Sequence, residues 1–421
     1  MKTRYTFPFA GLLFLLLLWA CEDQEHSKIA QPVFIEPGSA LDFYERGLAE
    51  KDLEKKLELY NKGLTVIEST RDTMLPSLLE GKVYALSAMG DKESAAPWID
   101  SLISIAEMQQ DSFYIAKGYF RKYKIHFYSN EPVEAFKNAY KSAQVYYQTG
   151  DSAWGARRNL DMANIQIDMG DYYVAQESAT DALENIDREV DIKYVSSAYN
   201  VIGLAYMEQG FNEDAIREYQ NALGYAIDRK DSLSYLHNIA IALKNQEKYE
   251  QALDILEEVV QFEEPDANSA IRFLDNMAYT KWLADPAFEA DSLLLSLLER
   301  RRAMNDARGI SVSYIHLSEY YADKDPQKAT KYADSVLQLS RALPSASLEH
   351  VALKKLIDLT PAAESEKLME RFIVLNDSLD QVEKEAKYQF AKIQFDGRLV
   401  LRFHSGLGIV NVQNQVGIFF Q

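Results

Sequence analysis

Small and apolar residues recur along this chain with a period of 40 residues. The alanine column is Ala95, Ala135, Ala175 and Ala215, and the column five residues earlier is Gly90, Asn130, Gly170 and Gly210. A fixed period in this range predicts a stack of similar supersecondary units, each of which buries its apolar face against its neighbours. The pattern therefore favours a solenoid, which offers an extended surface for holding other molecules rather than a reaction centre.

The segment from about 196 to 229 shows the pattern within one unit. Its two apolar stripes are Tyr199, Ile202, Gly203 and Tyr206, followed by Ala215, Tyr219, Ala222 and Leu223. Both stripes have helical spacing, and Gly210 is placed to end the first helix. Gly203 and Ala215 are small where two helices must approach closely. Each unit is therefore predicted to be a helical hairpin.

This order of residues resembles the tetratricopeptide repeat (TPR), a helix–turn–helix unit with aromatic, Gly/Ala, Tyr, Ala, Tyr/Phe and Ala positions in sequence. Further units match near 76–109, 116–149, 156–189, 233–266, 271–304 and 310–343, and two more are predicted near 39–70 and 346–380. The resemblance implies an all-α fold. It implies a TPR-like α-solenoid, a right-handed superhelix of about eight or nine helical hairpins over residues 39–380.

Aspartate forms a third column, at the junctions between units. Its members are Asp111, Asp151, Asp191 and Asp231. Aspartate is a strong N-cap, because its side-chain oxygen accepts a hydrogen bond from a free helical N–H. Asp111, Asp151 and Asp231, each followed by serine, are therefore predicted to start a first helix. The alternative, a row of metal ligands, is disfavoured because one carboxylate per 40 residues along a rod does not converge on an ion.

The N-terminus is typical of an exported protein. Residues 1–20 combine a basic start with a leucine run too short to span a bilayer, which predicts a signal peptide. Residues 18–21, Leu-Trp-Ala-Cys, resemble a bacterial lipobox, which implies that Cys21 is lipidated. The alternative is a chance cysteine after an ordinary signal peptide. Residues 21–38 are predicted to be a tether. We expect a lipoprotein in the cell envelope, facing the periplasm or the cell surface.

Composition and charge narrow the classes of partner. Hydrophobic residues make up 47% of the chain, which suits a packed core. The formal net charge is −19, and such a surface repels nucleic acid and anionic headgroups. Cys21 is the single cysteine, so an internal disulfide is excluded. The expected partners are a protein or peptide, and a membrane only through the lipid anchor.

No motif for catalysis occurs along the chain. The sequence lacks a Walker loop, HExxH, CxxC, GxSxG and GxGxxG, and the six histidines are scattered. It therefore predicts a protein that is not an enzyme and uses no cofactor and no metal. The basic run Arg300–Arg302 is predicted to lie at a helix end, where positive charge suits the helix dipole.

The resemblance also implies where a partner binds. In the family, the concave wall is formed by defined positions of the first helix of each hairpin. Carried onto this chain, the candidate partner-binding residues are Lys117, Phe120, Lys124, Tyr128, Arg157, Asn164, Asn200, His237, Lys244 and Asn245. Polar and aromatic side chains together suit a peptide held through its backbone and a few anchors, although ordinary solvated groove residues would give the same list.

The C-terminal part departs from the repeats. Residues 381–396 are predicted to form a linker helix, and residues 397–421 contain no Asp, Glu or Lys. The helix resembles the segment after the repeats in Bacteroidetes TPR regulators, where a membrane helix and an effector domain follow. The atypical tail is either a short terminal hairpin or apolar tail, or the product of an altered reading frame.

Three functional hypotheses follow from the sequence. The first is a lipid-anchored scaffold of the cell envelope that binds a protein or peptide in the concave groove. The second is the sensory half of a transmembrane regulator that lacks its membrane span and effector domain. The third is a nutrient- or glycan-binding lipoprotein, which the small number of tryptophans (4) and prolines (11) disfavours.

Overall fold

A computed structural model describes residues 35–261, 267–343 and 345–404, and this part of the chain contains eighteen helices and no strand. The first nine helices are α1 (Ala40–Ala49), α2 (Leu53–Thr65), α3 (Leu75–Ala88), α4 (Lys92–Gln109), α5 (Ser112–Tyr128), α6 (Pro132–Gln148), α7 (Ser152–Asp168), α8 (Tyr172–Asn185) and α9 (Ile192–Glu208). The other nine are α10 (Asn212–Gly224), α11 (Arg229–Asn245), α12 (Tyr249–Gln261), α13 (Ala267–Ala284), α14 (Asp291–Ala303), α15 (Ala307–Tyr321), α16 (Pro326–Ala342), α17 (Ala346–Leu359) and α18 (Glu366–His404).

The helices pack in chain order, each on the next, so that they form nine hairpins. The odd-numbered helix is the first of each hairpin and the even-numbered helix is the second. This architecture confirms the predicted all-α solenoid. The signal peptide, Cys21, most of the tether and residues 405–421 lie outside the described residues. No helix of the described part is both long and apolar enough to cross a membrane.

The repeating Gly or Asn column ends the first helices, as predicted. Gly90, Asn130, Gly170 and Gly210 all have positive φ, between 57° and 83°. The N–H of the residue after each one donates to the carbonyl five residues earlier, at 2.7–3.0 Å. This bond satisfies a free carbonyl at the helix end, and it requires the left-handed conformation that Gly and Asn tolerate best.

Within a hairpin, the sizes of two facing side chains are complementary. Gly203 lies against the ring of the fully buried Tyr219, and a Cβ built on Gly203 would lie 2.8 Å from that ring. Eighty residues earlier in the chain the sizes are exchanged, because the buried Tyr123 and Ala139 take the corresponding positions in one apolar cluster. The repeat therefore conserves the volume at this contact while the identities of the residues change.

Replacing Ala215 with leucine is expected to lower the free energy of unfolding by roughly 1–3 kcal/mol, because the site is overpacked. Ala215 is fully buried, and its carbonyl oxygen lies 3.3 Å from a Cβ built on Gly203. Urea denaturation measures the change. Gln220→Leu, at an exposed position of the same helix, is the control and should stay within about 0.5 kcal/mol of the parent. Equal stability of the two variants would contradict the contact.

The aspartate column is only partly a column of N-caps. Asp111 and Asp151 accept bonds from the N–H groups three residues later, at 3.2 and 3.3 Å, as predicted. Asp191 is at the N-cap of α9, but its side chain makes no capping bond. The prediction is wrong for Asp231, because α11 begins earlier and Asp228 is its N-cap.

The last helix returns to the first half of the solenoid. α18 packs on α6, where Phe390 stacks on Phe136 with ring centroids 4.3 Å apart. Tyr140 donates a hydrogen bond from its hydroxyl to the carbonyl of Gln394 at 3.3 Å. The predicted linker 381–396 thus lies inside one long helix that is packed on the third hairpin.

Candidate binding groove

The first helices form the inner layer of the solenoid. Direct packing joins α1 to α3, α3 to α5, α7 to α9 and α13 to α15, whereas the second helices of adjacent hairpins show no packing of similar extent in the described part of the chain. Neighbouring elements are closer on the inside of a curved double layer than on its outside. The first helices therefore line the concave side, where the sequence places the candidate partner-binding residues.

Polar side chains link each first helix to the next across this layer. From α3 to α17 the links are Ser77–Tyr114 (2.6 Å), Tyr123–Asp161 (3.2 Å), Arg157–Asp191 (2.8 Å), Asn200–Asn238 (3.0 Å), His237–Asn276 (3.2 Å), Tyr279–Glu319 and Glu319–Lys355. We call this set the inner-layer ladder. Because adjacent repeats share these bonds, the ladder fixes the rotation of each hairpin relative to its neighbour.

Several predicted partner-binding residues are members of the ladder or lie beside it. Arg157, Asn200 and His237 make ladder bonds. Asn164 donates to the carbonyl of Leu160 in its own helix at 2.9 Å. Asn245 is exposed at the end of α11. Arg157, Asn164, Asn200 and His237 already have a hydrogen-bond partner inside the protein, so they are less available to a ligand than Asn245.

The other predicted residues lie close to charged groups. Phe120 packs in the apolar cluster beneath the guanidinium of Arg158, 3.7 Å from its ring centroid. Lys117 lies 3.9 Å from the carboxylate of Glu80. Lys244 lies 5.4 Å from the centroid of the Tyr279 ring, and burial lowers the pKa of this lysine while Glu319 and Asp275 oppose the shift.

His237 is buried as the neutral imidazole. The amide nitrogen of Asn276 lies 3.2 Å from Nε2 and also 3.0 Å from the carbonyl of Arg272. An amide N–H can only donate, so Nε2 must be unprotonated. Burial lowers the pKa of His237 to about 3, and Arg272 and Lys244 add to this shift. His237 is therefore a structural residue of the ladder.

The buried His237 should make the protein less stable in acid. Its pKa is about 3 when folded and 6.5 in its ordinary state, so below pH 6.5 the unfolded chain binds more protons. Above pH 6.5 the imidazole is neutral in both states and does not reduce stability. Below pH 6.5 it lowers the free energy of unfolding by about 1.4 kcal/mol per pH unit as the pH drops towards 3. His237→Gln should therefore reduce the loss of unfolding free energy between pH 7 and pH 5, which urea denaturation at the two pH values measures. Asn245→Gln, an uncharged change at the exposed end of the same helix, should leave the slope unchanged.

A buried ion cluster lies where α13, α14 and α15 meet. Asp275 is fully buried, with Arg301 Nη1 at 3.3 Å and His316 Nδ1 at 2.7 Å from its oxygens. Burial would raise the pKa of Asp275, but His316 and Arg301 outweigh burial and hold it below the usual value. Arg301 also donates to the carbonyl of Gly309 at 2.9 Å and to Ser313 Oγ at 2.6 Å. The middle of the basic run thus points into the core.

A cavity with a volume of about 540 Å³ lies on the inner layer between α3 and α5. We call it the α3–α5 cavity. It is lined by Tyr84, Ser87, Ala88, Lys92, Arg121, Lys124, Ile125 and Tyr128. It contains the predicted residues Lys124 and Tyr128, and it is large enough for one or two side chains of a peptide.

Positive charge exceeds negative charge in the α3–α5 cavity. Arg121 Nε lies 3.1 Å from Glu80, and the same carboxylate also serves Lys117. Lys92 donates to the carbonyl of Tyr128 at 2.7 Å, a neutral acceptor. Neither Lys92 nor Lys124 forms an ion pair within the described part of the chain. Burial lowers the pKa of Lys124 and the nearby Arg121 lowers it further, so an anion in the cavity would relieve both effects.

Sequence reasoning missed Lys92, Arg121 and Tyr84. The residues Lys117, Arg121, Lys124 and Tyr128 lie three or four positions apart on α5, so they form one stripe, and this spacing was the available signal for Arg121. Lys92 is the first residue of α4, the second helix of its hairpin, whereas the family resemblance supplies positions only in first helices. Among the described residues, no group of three or more potential ligands could hold a metal ion.

Comparisons with known proteins agree with this architecture. A tetratricopeptide-repeat family model matches residues 232–262, a range that includes most of α11 and all of α12. The apo form of RapI is 13% identical, with a TM-score of 0.60 over 72% of this chain and 85% of its own. The apo quorum sensor NprR from B. thuringiensis is 14% identical, with a TM-score of 0.58 over 83% and 97% of the two chains.

A third solved structure, of NprR in complex with its cognate peptide NprX, is 15% identical, with a TM-score of 0.55 over 81% and 98% of the two chains. No curated protein sequence matches this chain. The TM-scores of these structures show a shared fold. Because the sequence identities are low, function has to be argued from the site. The chain has the fold of the TPR-like α-solenoids.

Proposed function

We propose that this protein binds a peptide, or an extended segment of a protein, along the inner layer of its first helices and catalyses no reaction. The α3–α5 cavity carries this proposal, because it combines room for side chains with aromatic walls and with Lys92 and Lys124, which pair with no carboxylate among the described residues. NprR, with a similar fold, has been crystallised with its cognate peptide. The scaffold hypothesis and the sensory-module hypothesis both require this binding event.

The ligand should carry a negative charge at the segment that enters the cavity. The chain as a whole has a net charge of −19, so an acidic peptide is repelled from most of the surface. Lys92, Arg121 and Lys124 provide a local exception on the concave side. A positive site within an acidic field selects both the position and the orientation of a bound peptide.

Fluorescence anisotropy with paired peptides tests this function. Each labelled peptide contains an aromatic residue beside Glu, and its partner replaces Glu with Gln, so the two differ only in charge. The acidic member should bind at least tenfold more tightly, a difference of about 1.4 kcal/mol, and should lose affinity as salt is raised. Equal binding of the two members, or no binding of any pair, would contradict the proposal.

We further propose that Cys21 anchors the protein to a membrane of the cell envelope. The support comes from sequence: Cys21 is the only cysteine and directly follows an export signal. Cys21→Ser should remove the lipid, so that the protein leaves the membrane fraction after signal cleavage or stays with an uncleaved signal. Cleaved Cys21→Ser protein that still sediments with membranes would contradict the anchor.

A further inference from the structure

The C-terminal helix α18 has two distinct faces. One face packs on the solenoid and buries Leu375, Ala386 and Phe390, which are 6%, 1% and 1% exposed. The other face carries large apolar side chains in solvent. These are Met369, Ile373, Val374, Tyr388 and Phe395, which are between 41% and 64% exposed. At 3.6 residues per turn they lie within an arc of about 140° opposite the buried face, and we call them the outer stripe.

Apolar residues of the outer stripe form two groups. The first group spans residues 369–374 and the second spans residues 388–395, and a polar middle separates them. A solvent-exposed apolar stripe of this extent on a packed helix indicates a contact that the described part of the chain does not make.

Charge is segregated along the same arc. Glu366, Glu370 and Asp377 accompany the first apolar group, whereas Lys384 and Lys392 accompany the second. None of these five side chains forms an ion pair in the described part of the chain. The outer stripe is therefore acidic at its start and basic towards its end, while both ends are apolar.

We propose that a second copy of this chain packs on the outer stripe in antiparallel orientation. With the crossing centred between residues 380 and 381, Ile373 lies opposite the partner subunit's Tyr388, because their numbers are equally far from the centre. The same register brings Asp377 opposite the partner subunit's Lys384, and Glu370 within one turn of the partner subunit's Lys392. Two-fold symmetry repeats each contact, so the surface is complementary to itself.

Charge excludes the parallel alternative. In a parallel pair, the acidic group would face the partner's acidic group and the lysines would face lysines, which is destabilising. In the antiparallel pair Glu370 and Asp377 each meet a lysine, whereas the exposed Asp380, at the crossing, lies near the partner subunit's Asp380. The chemistry of the outer stripe thus identifies the occupant as a second α18.

Sedimentation of the full mature chain carrying Cys21→Ser tests the dimer. The parent should show a concentration-dependent monomer–dimer equilibrium, and Tyr388→Ser should raise the dissociation constant at least tenfold. Val382→Ser is the matched control, since Val382 is 55% exposed on α18 but lies outside the outer stripe. It should change the constant less than twofold. Circular dichroism verifies that each variant is folded.

Charge exchange tests the orientation. Glu370→Lys and Lys392→Glu should each weaken the dimer, and the double variant should restore it to within about threefold, which is less than 1 kcal/mol. A chain that stays monomeric to about 100 μM overturns the proposal. So does a dimer that tolerates Tyr388→Ser, a double variant that is not restored, or binding of the outer stripe to neutral vesicles or another protein by a monomer.

Discussion

Replacing Arg301 with alanine is expected to lower the free energy of unfolding by about 3–5 kcal/mol, the largest effect of any single change considered for this chain. Arg301 is 3% exposed, and its guanidinium lies 3.3 Å from the fully buried carboxylate of Asp275. Removing it leaves Asp275 with His316 alone and leaves the Gly309 carbonyl without this donor. An uncompensated buried charge is far more costly than the loss of an exposed ion pair.

The adjacent residue provides the control. Arg302 is exposed and pairs with Glu299, so Arg302→Ala should change stability by less than about 1 kcal/mol. The double variant Asp275→Asn with Arg301→Met should recover part of the loss, because both charges leave the core together. Guanidinium denaturation followed by circular dichroism measures all three. If Arg301→Ala and Arg302→Ala have equal effects, the buried cluster is not as described.

Reversing the charge of the α3–α5 cavity is expected to weaken peptide binding about 100-fold, or about 2.7 kcal/mol. The variant is Lys92→Glu with Lys124→Glu, which replaces two cations that form no ion pair among the described residues by two carboxylates. An acidic peptide would then meet repulsion in place of attraction. Anisotropy titration of the acidic and Gln-substituted peptides measures the loss, which should be confined to the acidic member.

Lys331→Glu is the matched control for this experiment. Lys331 is exposed on α16, a second helix, and the change adds the same kind of charge away from the inner layer. It should leave the affinity within about twofold of the parent. If Lys331→Glu weakens binding as much as the cavity variant does, the effect comes from net charge and the cavity is not the binding site.

Much of the architecture could be predicted from the sequence because its signals are local. Gly210 ends its helix through bonds within one turn, and the contact of Gly203 with Tyr219 joins residues of a single hairpin. Such contacts repeat wherever the pattern repeats. The spacing of residues was therefore enough to predict the helices, their turns and their order. The start of α11 differs from the prediction because Asp228, and not Asp231, is the N-cap.

The site and the last helix depend on contacts between distant residues. Whether Arg157 is free or bound to Asp191 depends on the rotation between adjacent repeats, which spacing within a repeat does not determine. The contact of Phe390 with Phe136 depends on the curvature accumulated over several hairpins. Composition and period describe a single unit. They therefore could not predict the inner-layer ladder or the packing of α18 on α6.

Peptide binding by this protein requires the α3–α5 cavity to hold an acidic segment of the ligand. Photocrosslinking in cells tests it most directly, with p-benzoylphenylalanine at Ala88, which lines the cavity, and at Gln220, which is exposed on the second helix α10. Mass spectrometry identifies the adducts. We expect an adduct at residue 88 on a segment containing Asp or Glu, which is lost when Lys92 and Lys124 are both changed to Glu, and no such adduct at residue 220. An adduct at residue 88 that survives this charge reversal would contradict it.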